Sequence, residues 1–276
     1  MSNQRPAIID THAHLDDVQF GVDVGSVIDR AVDAGVRRII NIGYRPERWR
    51  TTLAIADRFP EVVFTLGLHP HHAEEWSPTV EAELIHLVAE RGPVAIGEIG
   101  LDYFRNSNPA DLQRRVFERQ LELAAEFGLP VVIHQRAAEN DLIAMLRTTS
   151  PNQVCILHSF DGTADLARLA QERGYFVGVG GLMTRESSID LRDVLRTVPT
   201  ELLLLETDAP YLVPAGVKNR RNEPANLTFI AERLADLVEE SVDQLILRCT
   251  ENAERAFGPL LSAVDSASKD RPGLVG

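Results

Sequence analysis

The sequence predicts an α/β protein folded as one (β/α)8 barrel of the TIM type, and three observations point there. Eight short apolar, β-branched runs alternate with longer stretches whose apolar residues recur at intervals of three and four. The runs are nearly continuous in hydrophobicity, the pattern of strands buried on both faces of a parallel sheet. No break in composition divides the 276 residues, so the strand–helix units read as one domain over 1–260. A doubly wound open sheet is the structural alternative.

In chain order the strands are expected at 7–10, 37–42, 62–67, 94–98, 130–134, 154–158, 175–179 and 202–206. Between them the helices have readable ends. Pro46, Pro78 and Pro224 suit helix starts, where a missing N–H costs nothing. The clearest helix covers 111–127, with an apolar stripe of Leu112, Val116, Leu121, Ala124 and Phe127. Gly128 can take the left-handed position that ends it, and Pro130 forbids continuation. Gly35 and Gly174 mark similar stops. Residues 261–276 are rich in Ser, Asp, Lys, Pro and Gly without periodicity and are expected to form a flexible tail.

Composition narrows the class. With 44% apolar and 25% charged residues, the chain is that of an ordinary globular protein, which excludes disorder throughout. Two cysteines, Cys155 and Cys249, are too few and too far apart for a disulfide framework or a thiolate zinc site, so a cytosolic protein is expected. Neither a membrane span nor secretion is expected, because no run of about 18 apolar residues occurs and the first residues lack a signal-peptide pattern. A net charge of −13, with Lys218 and Lys269 the sole lysines, argues against a protein that coats nucleic acid nonspecifically. A local phosphate site remains compatible with it.

The histidines sit at particular places. His12 and His14 follow the first strand, His69 and His71 the third, and His134 and His158 end the fifth and sixth; Glu98 ends the fourth, and Glu206 and Asp208 the eighth. In a parallel barrel all of these face the C-terminal rim, where such enzymes build their sites. Any one alone reads as a hydrogen-bonded core histidine; six on one rim do not. The i, i+2 spacing of His12 and His14 points both rings to one side of an extended segment. Imidazoles with carboxylates and no thiolate suit zinc, manganese or a similar divalent ion. The set is large enough for two ions about 3.5–4 Å apart with one carboxylate as bridge, which favours hydrolysis, of a phosphoester first and of an amide or ester second. The glycines at 178, 180 and 181 match no nucleotide-binding loop and read as a tight turn. No Gly-x-Ser-x-Gly elbow is present. His86, mid-helix, and His72, beyond Pro70, read as surface or packing residues.

Seven segments then carry a resemblance: Asp-Thr-His-Ala-His-Leu-Asp at 10–16, Gly-Leu-His-Pro-His at 67–71, Gly-Glu-Ile-Gly-Leu-Asp-Tyr-Phe-Arg at 97–105, Val-Ile-His at 132–134, His-Ser-Phe at 158–160 with Gly162, Glu-Thr-Asp-Ala-Pro-Tyr-Leu at 206–212, and Arg-Asn-Glu-Pro-Ala-Asn at 221–226. In this order, and spanning Ile9 to about Phe257, they resemble the TatD family of metal-dependent deoxyribonucleases, among the amidohydrolase-type barrels. The resemblance implies that His12, His14, Glu98 and Asp208 hold one divalent ion and that Glu98, His134 and His158 hold a second, with Glu98 bridging. It also implies phosphodiester cleavage in DNA, often from an end, with Mg, Mn or Zn as the metal. Single-stranded DNA or a DNA end is then the expected partner, with no membrane and no stable protein partner. Asp208, touching metal and water, is expected to accept the proton of the attacking water, with Glu206 the next candidate.

Two departures alter the groove without removing a ligand. Gln135-Arg136-Ala137 stands where the family carries Ser-Arg-Asp, and Ser159-Phe160-Asp161-Gly162 where it carries Cys-Phe-Ser/Thr-Gly. His69, His71, Arg105, Lys218, Arg220 and Arg221 place cations around an acidic site and favour a phosphate substrate. The 218–221 run, just past the eighth strand, is the preferred substrate loop, weighed evenly against a solvated loop. The alternatives are an amidohydrolase or esterase on the same barrel, such as an aminoacyl-ester hydrolase, and a noncatalytic scaffold with a structural metal. The scaffold predicts a missing ligand, and none is missing.

Overall fold

Eight parallel strands are hydrogen-bonded in sequence order in one sheet: β1 (Ile8–Ala13), β2 (Val36–Gly43), β3 (Val62–Leu66), β4 (Ala95–Asp102), β5 (Val131–Arg136), β6 (Cys155–Leu157), β7 (Phe176–Val179) and β8 (Leu203–Leu205). This computed structural model describes residues 6–105, 107–218, 220–258 and 261. The last strand returns to the first through a parallel bridge between Ala13 and Ala209, with Asp208 N donating to His12 O (2.9 Å) and His14 N to Ala209 O (2.7 Å). The sheet is therefore a barrel, and the open-sheet alternative falls.

Helices α1 (Val24–Asp33), α2 (Pro46–Arg58), α3 (Pro78–Arg91), α4 (Ala110–Phe127), α5 (Glu139–Thr148), α6 (Ala164–Arg173), α7 (Ile189–Leu195), α8 (Leu227–Val238) and α9 (Val242–Phe257) accompany the strands. Pro46 and Pro78 open α2 and α3, while Pro224 opens a 3₁₀ turn, Pro224–Asn226, that leads into α8. Gly128 and Gly174 end α4 and α6 in the left-handed conformation (φ 65° and 67°). Phe127 is 38% exposed, because it lies at the end of α4 where the stripe has run past the sheet.

Alternation along the strands separates two cores. Ile8, Ile39, Ile96, Val131, Ile133, Leu157, Val177, Leu203 and Leu205 pack outward against the helices. The residues between them, Ile9, Ile40, Ile42, Ala95, Val132, Ile156, Phe176 and Leu204, form an inward cluster with Ala253, Ala256 and Phe257 of α9 and with Leu261. Leu261, expected to begin the tail, is fully buried instead, and its carbonyl accepts from Arg38 Nε (3.3 Å). The rest of the expected tail, 262–276, lies outside the described residues.

Buried side chains pin the strand ends that carry the site. Gln120 of α4 binds both the N–H (2.7 Å) and the carbonyl (3.0 Å) of Leu68, and Gln113 does the same for Asp102 (2.8 and 3.0 Å). Trp49 Nε1 donates to the carbonyls of Gly43 and Gly67, and Asn41 Oδ1 accepts from Leu15 N. Each bond satisfies a backbone group at which a ladder ends, so the loops after β1, β3 and β4 leave the barrel in defined directions.

Candidate metal centre

Two residues further along the inward face, apolar side chains give way to ligating ones. Val132 is followed by His134, Ile156 by His158, and Leu204 by Glu206 and Asp208, all in one alternating register. β1 and β4 reach the same face differently. Each carries a register shift, between Asp10 and Ala13 in β1 and between Gly97 and Ile99 in β4, so that three residues separate Ile9 from His12 and Ala95 from Glu98. Such bulges re-aim side chains beside active sites. Glycines make the room: a Cβ at Gly178 would sit 2.2 Å from Glu206 Oε2, so these glycines do more than form the tight turn expected after β7.

Among the described residues the side chains converge in four groups of three: His12, His14 and Asp208; Glu98, His134 and His158; His12, His158 and Glu206; and His69, His71 and His134, of which the first two hold the expected ligands. His12 Nε2 lies 3.3 Å from His14 Nε2, 3.5 Å from Glu98 Oε2 and 3.8 Å from Asp208 Oδ1; His14 Nε2 is 3.3 Å from Asp208 Oδ1. On the other side, Glu98 Oε1 is 2.8 Å from His134 Nδ1 and 3.8 Å from His158 Nε2. Glu98 thus faces one group with each carboxylate oxygen. Ligand bonds of about 2.0–2.2 Å put neighbouring donors roughly 3–3.5 Å apart in a metal's shell; the His12–His14, His12–Glu98 and His14–Asp208 separations fall in that range, and the others lie within 0.3 Å of it. Two imidazole nitrogens, Nε2 of His12 and of His14, facing each other at 3.3 Å beside the carboxylates of Glu98 and Asp208 also fit a cation. The residues present suit a divalent ion.

Outer carboxylates orient the imidazoles. Asp102, fully buried, accepts from His134 Nε2 (3.1 Å) and His71 Nε2 (2.7 Å), and Glu206 Oε1 stands 3.1 Å from His158 Nδ1 while accepting from Ser159 N (2.6 Å). Asp10 does comparable work on the backbone, accepting from Thr207 N (2.9 Å) and Thr207 Oγ1 (2.6 Å). Ala137, Ser159 and Asp208, each just beyond a strand end, hold positive φ (53°, 44° and 56°). Asp tolerates that region, whereas for the other two it costs about 1 kcal/mol each.

Burial opposes charge on every one of these groups, and their neighbours decide the balance. Burial pushes His134 down, but the carboxylates of Asp102 and Glu98 raise it to about 9; likewise Glu206 and Glu98 overcome burial to raise His158 to about 10. Burial alone dominates at His69, which falls to about 3. Burial raises Glu98 and Asp208, yet the surrounding imidazoles hold both below the ordinary carboxylate range.

A cavity of about 530 Å³ opens over this cluster, lined by residues that include His69, His71, Arg105, Arg136, Tyr44 and Tyr211. Of the expected cations, His69 reaches Glu98 Oε1 (3.5 Å) and Arg105 lines the cavity. Lys218, Arg220 and Arg221 are not among its lining residues: Lys218 and Arg220 are exposed, and Arg221 is engaged by Asp23 (2.8 Å), Glu223 (2.6 Å) and Gln19 O (2.7 Å). Glu206, the second choice for the base, lies behind His158 and is absent from the cavity wall.

Sequence reasoning misses the roles of Asp102, Tyr44, His72, Arg136 and Tyr211. Asp102 carries a signal, since it stands four residues past Glu98 on an extended strand and so shares its side. His72, with no distinguishing feature in sequence, faces the cavity, stacks near Tyr44 (ring centroids 6.0 Å) and pairs with Glu75 (3.1 Å). His86 is exposed, as expected.

Known proteins share this fold and sequence. The 3'-5' ssDNA/RNA exonuclease TatD of Salmonella typhimurium is 36% identical over 256 residues, covering 91% of this chain and 98% of its own, and the uncharacterized metal-dependent hydrolase YabD of Bacillus subtilis is 34% identical over 251 residues, covering 91% and 98%. Among solved structures, YjjV, a TatD homolog from Escherichia coli K12, superposes with a TM-score of 0.86 at 32% identity, covering 91% of this chain and 97% of its own. A TatD family hydrolase from Entamoeba histolytica gives 0.85 at 25% identity, covering 93% and 100%. The sequence profile described as TatD related DNase matches residues 9–258, and the chain therefore belongs to the TatD related DNase family.

Proposed function

We propose that this protein is a two-metal phosphodiesterase that removes nucleotides from the end of a single-stranded nucleic acid. The observation that carries the reading is the sharing of Glu98 between two donor groups, His12, His14 and Asp208 on one side and His134 and His158 on the other. Two divalent ions bound there supply a water activated for attack and neutralise charge on the phosphoryl oxygens. Asp208, held ionised by the facing imidazoles of His14 and His158, accepts the proton of that water. His69, kept neutral by burial beside Glu98, offers a ring N–H to a substrate oxygen without adding charge to the metal pair. Asp102 accepts from His134 Nε2 and so leaves Nδ1 free for an ion, and Glu206, 3.1 Å from His158 Nδ1, stands behind the ring whose Nε2 would face one.

The choice of a nucleic-acid end is supported by Arg105 and Arg136 in the cavity wall and by the Salmonella relative, named a 3'-5' ssDNA/RNA exonuclease. Magnesium, manganese or zinc all suit the donor set. No described helix is long and apolar enough to cross a membrane, and Cys155 and Cys249 are free and buried, which suits a cytosolic enzyme. The deciding experiment offers single-stranded DNA, RNA and duplex DNA, each labelled at the 5' or 3' end, together with p-nitrophenyl esters, in Mg²⁺, Mn²⁺ and Zn²⁺. A metal-dependent ladder shortening the single strands from the 3' end is expected. Hydrolysis of the carboxylic esters with intact nucleic acids would overturn the reading.

A further inference from the structure

The chain has far more acid than base, and most of its arginines near acids are committed to them, as Arg221 is to Asp23 and Glu223 and Arg119 to Glu81, Glu122 and Glu126. Arg105 and Arg136 are different. Both line the cavity over the metal cluster, and neither has a carboxylate oxygen within 4.0 Å among the described residues, although the charge of Arg136 is felt by Asp161. Arg136 follows His134 by two residues on β5, so it projects from the same side about 6–7 Å further along, the order of one nucleotide step.

Both positions are built. Tyr103 N donates to Arg136 O (2.9 Å), and Arg105 N donates to Asp102 Oδ1 (2.8 Å), so the carboxylate that orients His134 also fixes the turn after β4. In that turn Phe104 is 64% exposed, and the Arg136 guanidinium lies 4.0 Å from its ring centroid. An aromatic ring this open to solvent loses apolar burial, and an arginine stacked on it keeps its charge while giving up torsional freedom. A strand of nucleic acid uses both features: guanidinium groups bind phosphate in a planar, two-pronged fashion, and an open ring offers a face to a base.

We propose that Arg136 and Arg105 form a second phosphate subsite, one nucleotide away from the phosphate being hydrolysed, with Phe104 as the stacking face for the adjoining base. The subsite rests on the nucleic-acid reading given above and deepens it. It makes the preferred substrate a single strand with at least two phosphates, gripped at the backbone and at a flat base surface without reading sequence. It also reconciles a net charge of −13 with a polyanionic substrate, because the contact is confined to one wall of one cavity.

The test compares wild type with Arg136→Ala, Arg105→Ala, Phe104→Ala and Arg136→Lys, using a single-stranded DNA oligonucleotide and thymidine 5'-(p-nitrophenyl phosphate), which has one phosphodiester and no neighbouring phosphate. Each arginine-to-alanine change is expected to raise KM for the oligonucleotide about tenfold and to lower the preference for oligonucleotide over the small diester by the same factor. Anisotropy of the labelled oligonucleotide with protein in EDTA reads binding without turnover; there the log–log salt slope should fall by about 0.7 for each phosphate that is no longer neutralised. Phe104→Ala should weaken binding about tenfold with the slope unchanged, and Arg136→Lys should restore the slope but not the full affinity. If wild type degrades the oligonucleotide while folded alanine variants keep its KM, affinity and salt slope, the subsite is wrong and the nuclease reading stands. If wild type hydrolyses the small diester but neither binds nor degrades the oligonucleotide, the nucleic-acid reading fails and the subsite falls with it.

Discussion

The inward face of the barrel has two ends that share strands and register but differ in chemistry. At the lower end Ile9, Ile40, Val132, Ile156, Phe176 and Leu204 meet Phe257 and Leu261 in a closed apolar plug. At the upper end the next inward positions are His12, Glu98, His134, His158 and Asp208, a nest of charges whose burial is opposed at every group. Along one strand, two residues separate Val132 from His134 and a stabilising contact from a functional one. The difference teaches that the lower plug and the outer helix layer supply the stability that lets the upper end hold an arrangement with little stability of its own.

The strongest test of that contrast is Glu98→Ala. Removing the residue that faces both donor groups should empty both metal positions and cut nuclease activity by more than about 100-fold, while metal-free thermal stability falls because the charged imidazoles of His134 and His158 lose the carboxylate that faces them. Elemental analysis and unfolding curves read the two halves separately; retained metal with full activity would break the assignment. Next is Asp208→Asn, which keeps a ligating oxygen but cannot take a proton. Single-turnover kcat should fall about 10²–10⁴-fold with oligonucleotide affinity within about threefold. An unchanged rate would move the base elsewhere.

Phe257→Ala probes the other end. It should lower stability by about 3–5 kcal/mol and leave metal content and kcat near wild type at temperatures where the protein stays folded. Lost metal in a stable variant would show that the two ends are not separable. A smaller effect concerns protons. In the metal-free protein His134 and His158, raised to about 9 and 10 from 6.5, stay charged at neutral pH, so metal binding should release about one to two protons at pH 7.5. The sign follows for stability too. Their contribution to the metal-free fold is complete below pH 6.5 and is lost as pH rises through about 9 and 10, so apo Tm should fall over that interval. Calorimetry in buffers of different ionisation enthalpy measures the release. The smallest effect is expected for Arg221→Ala, whose partners are Asp23 and Glu223. A loss of at most about 1 kcal/mol with an unaltered salt slope is the expected result; a flatter slope would return the 218–221 loop to the substrate.

The strand-end histidines and carboxylates are legible in the sequence because of position: His134, His158 and Asp208 stand at or just past the ends of continuous apolar runs, which marks the rim they share but not the face they point to. The cationic loop misleads for the opposite reason: closeness to Asp208 in sequence says little about direction, and Arg221 folds back onto Asp23 and onto Phe20 (4.7 Å). The sequence places Arg136 at the groove but gives no sign of its stacking on Phe104, a contact that spacing does not record.

What the sequence determined by itself was the succession of eight strand–helix units and the strand ends at which the chemistry lies, since each follows from local periodicity, whereas the strand order and closure into a barrel rest on the pairing of neighbouring strands and the Ala13–Ala209 bridge. Only the tertiary structure decided which atoms face each other. The register shifts in β1 and β4 bring His12 and Glu98 inward against simple alternation, and Asp102 turns His134 so that Nδ1 meets Glu98. Those outcomes arise from ladder pairing between neighbouring strands and from competition among buried polar groups for partners, interactions between residues far apart in the chain that no local pattern encodes.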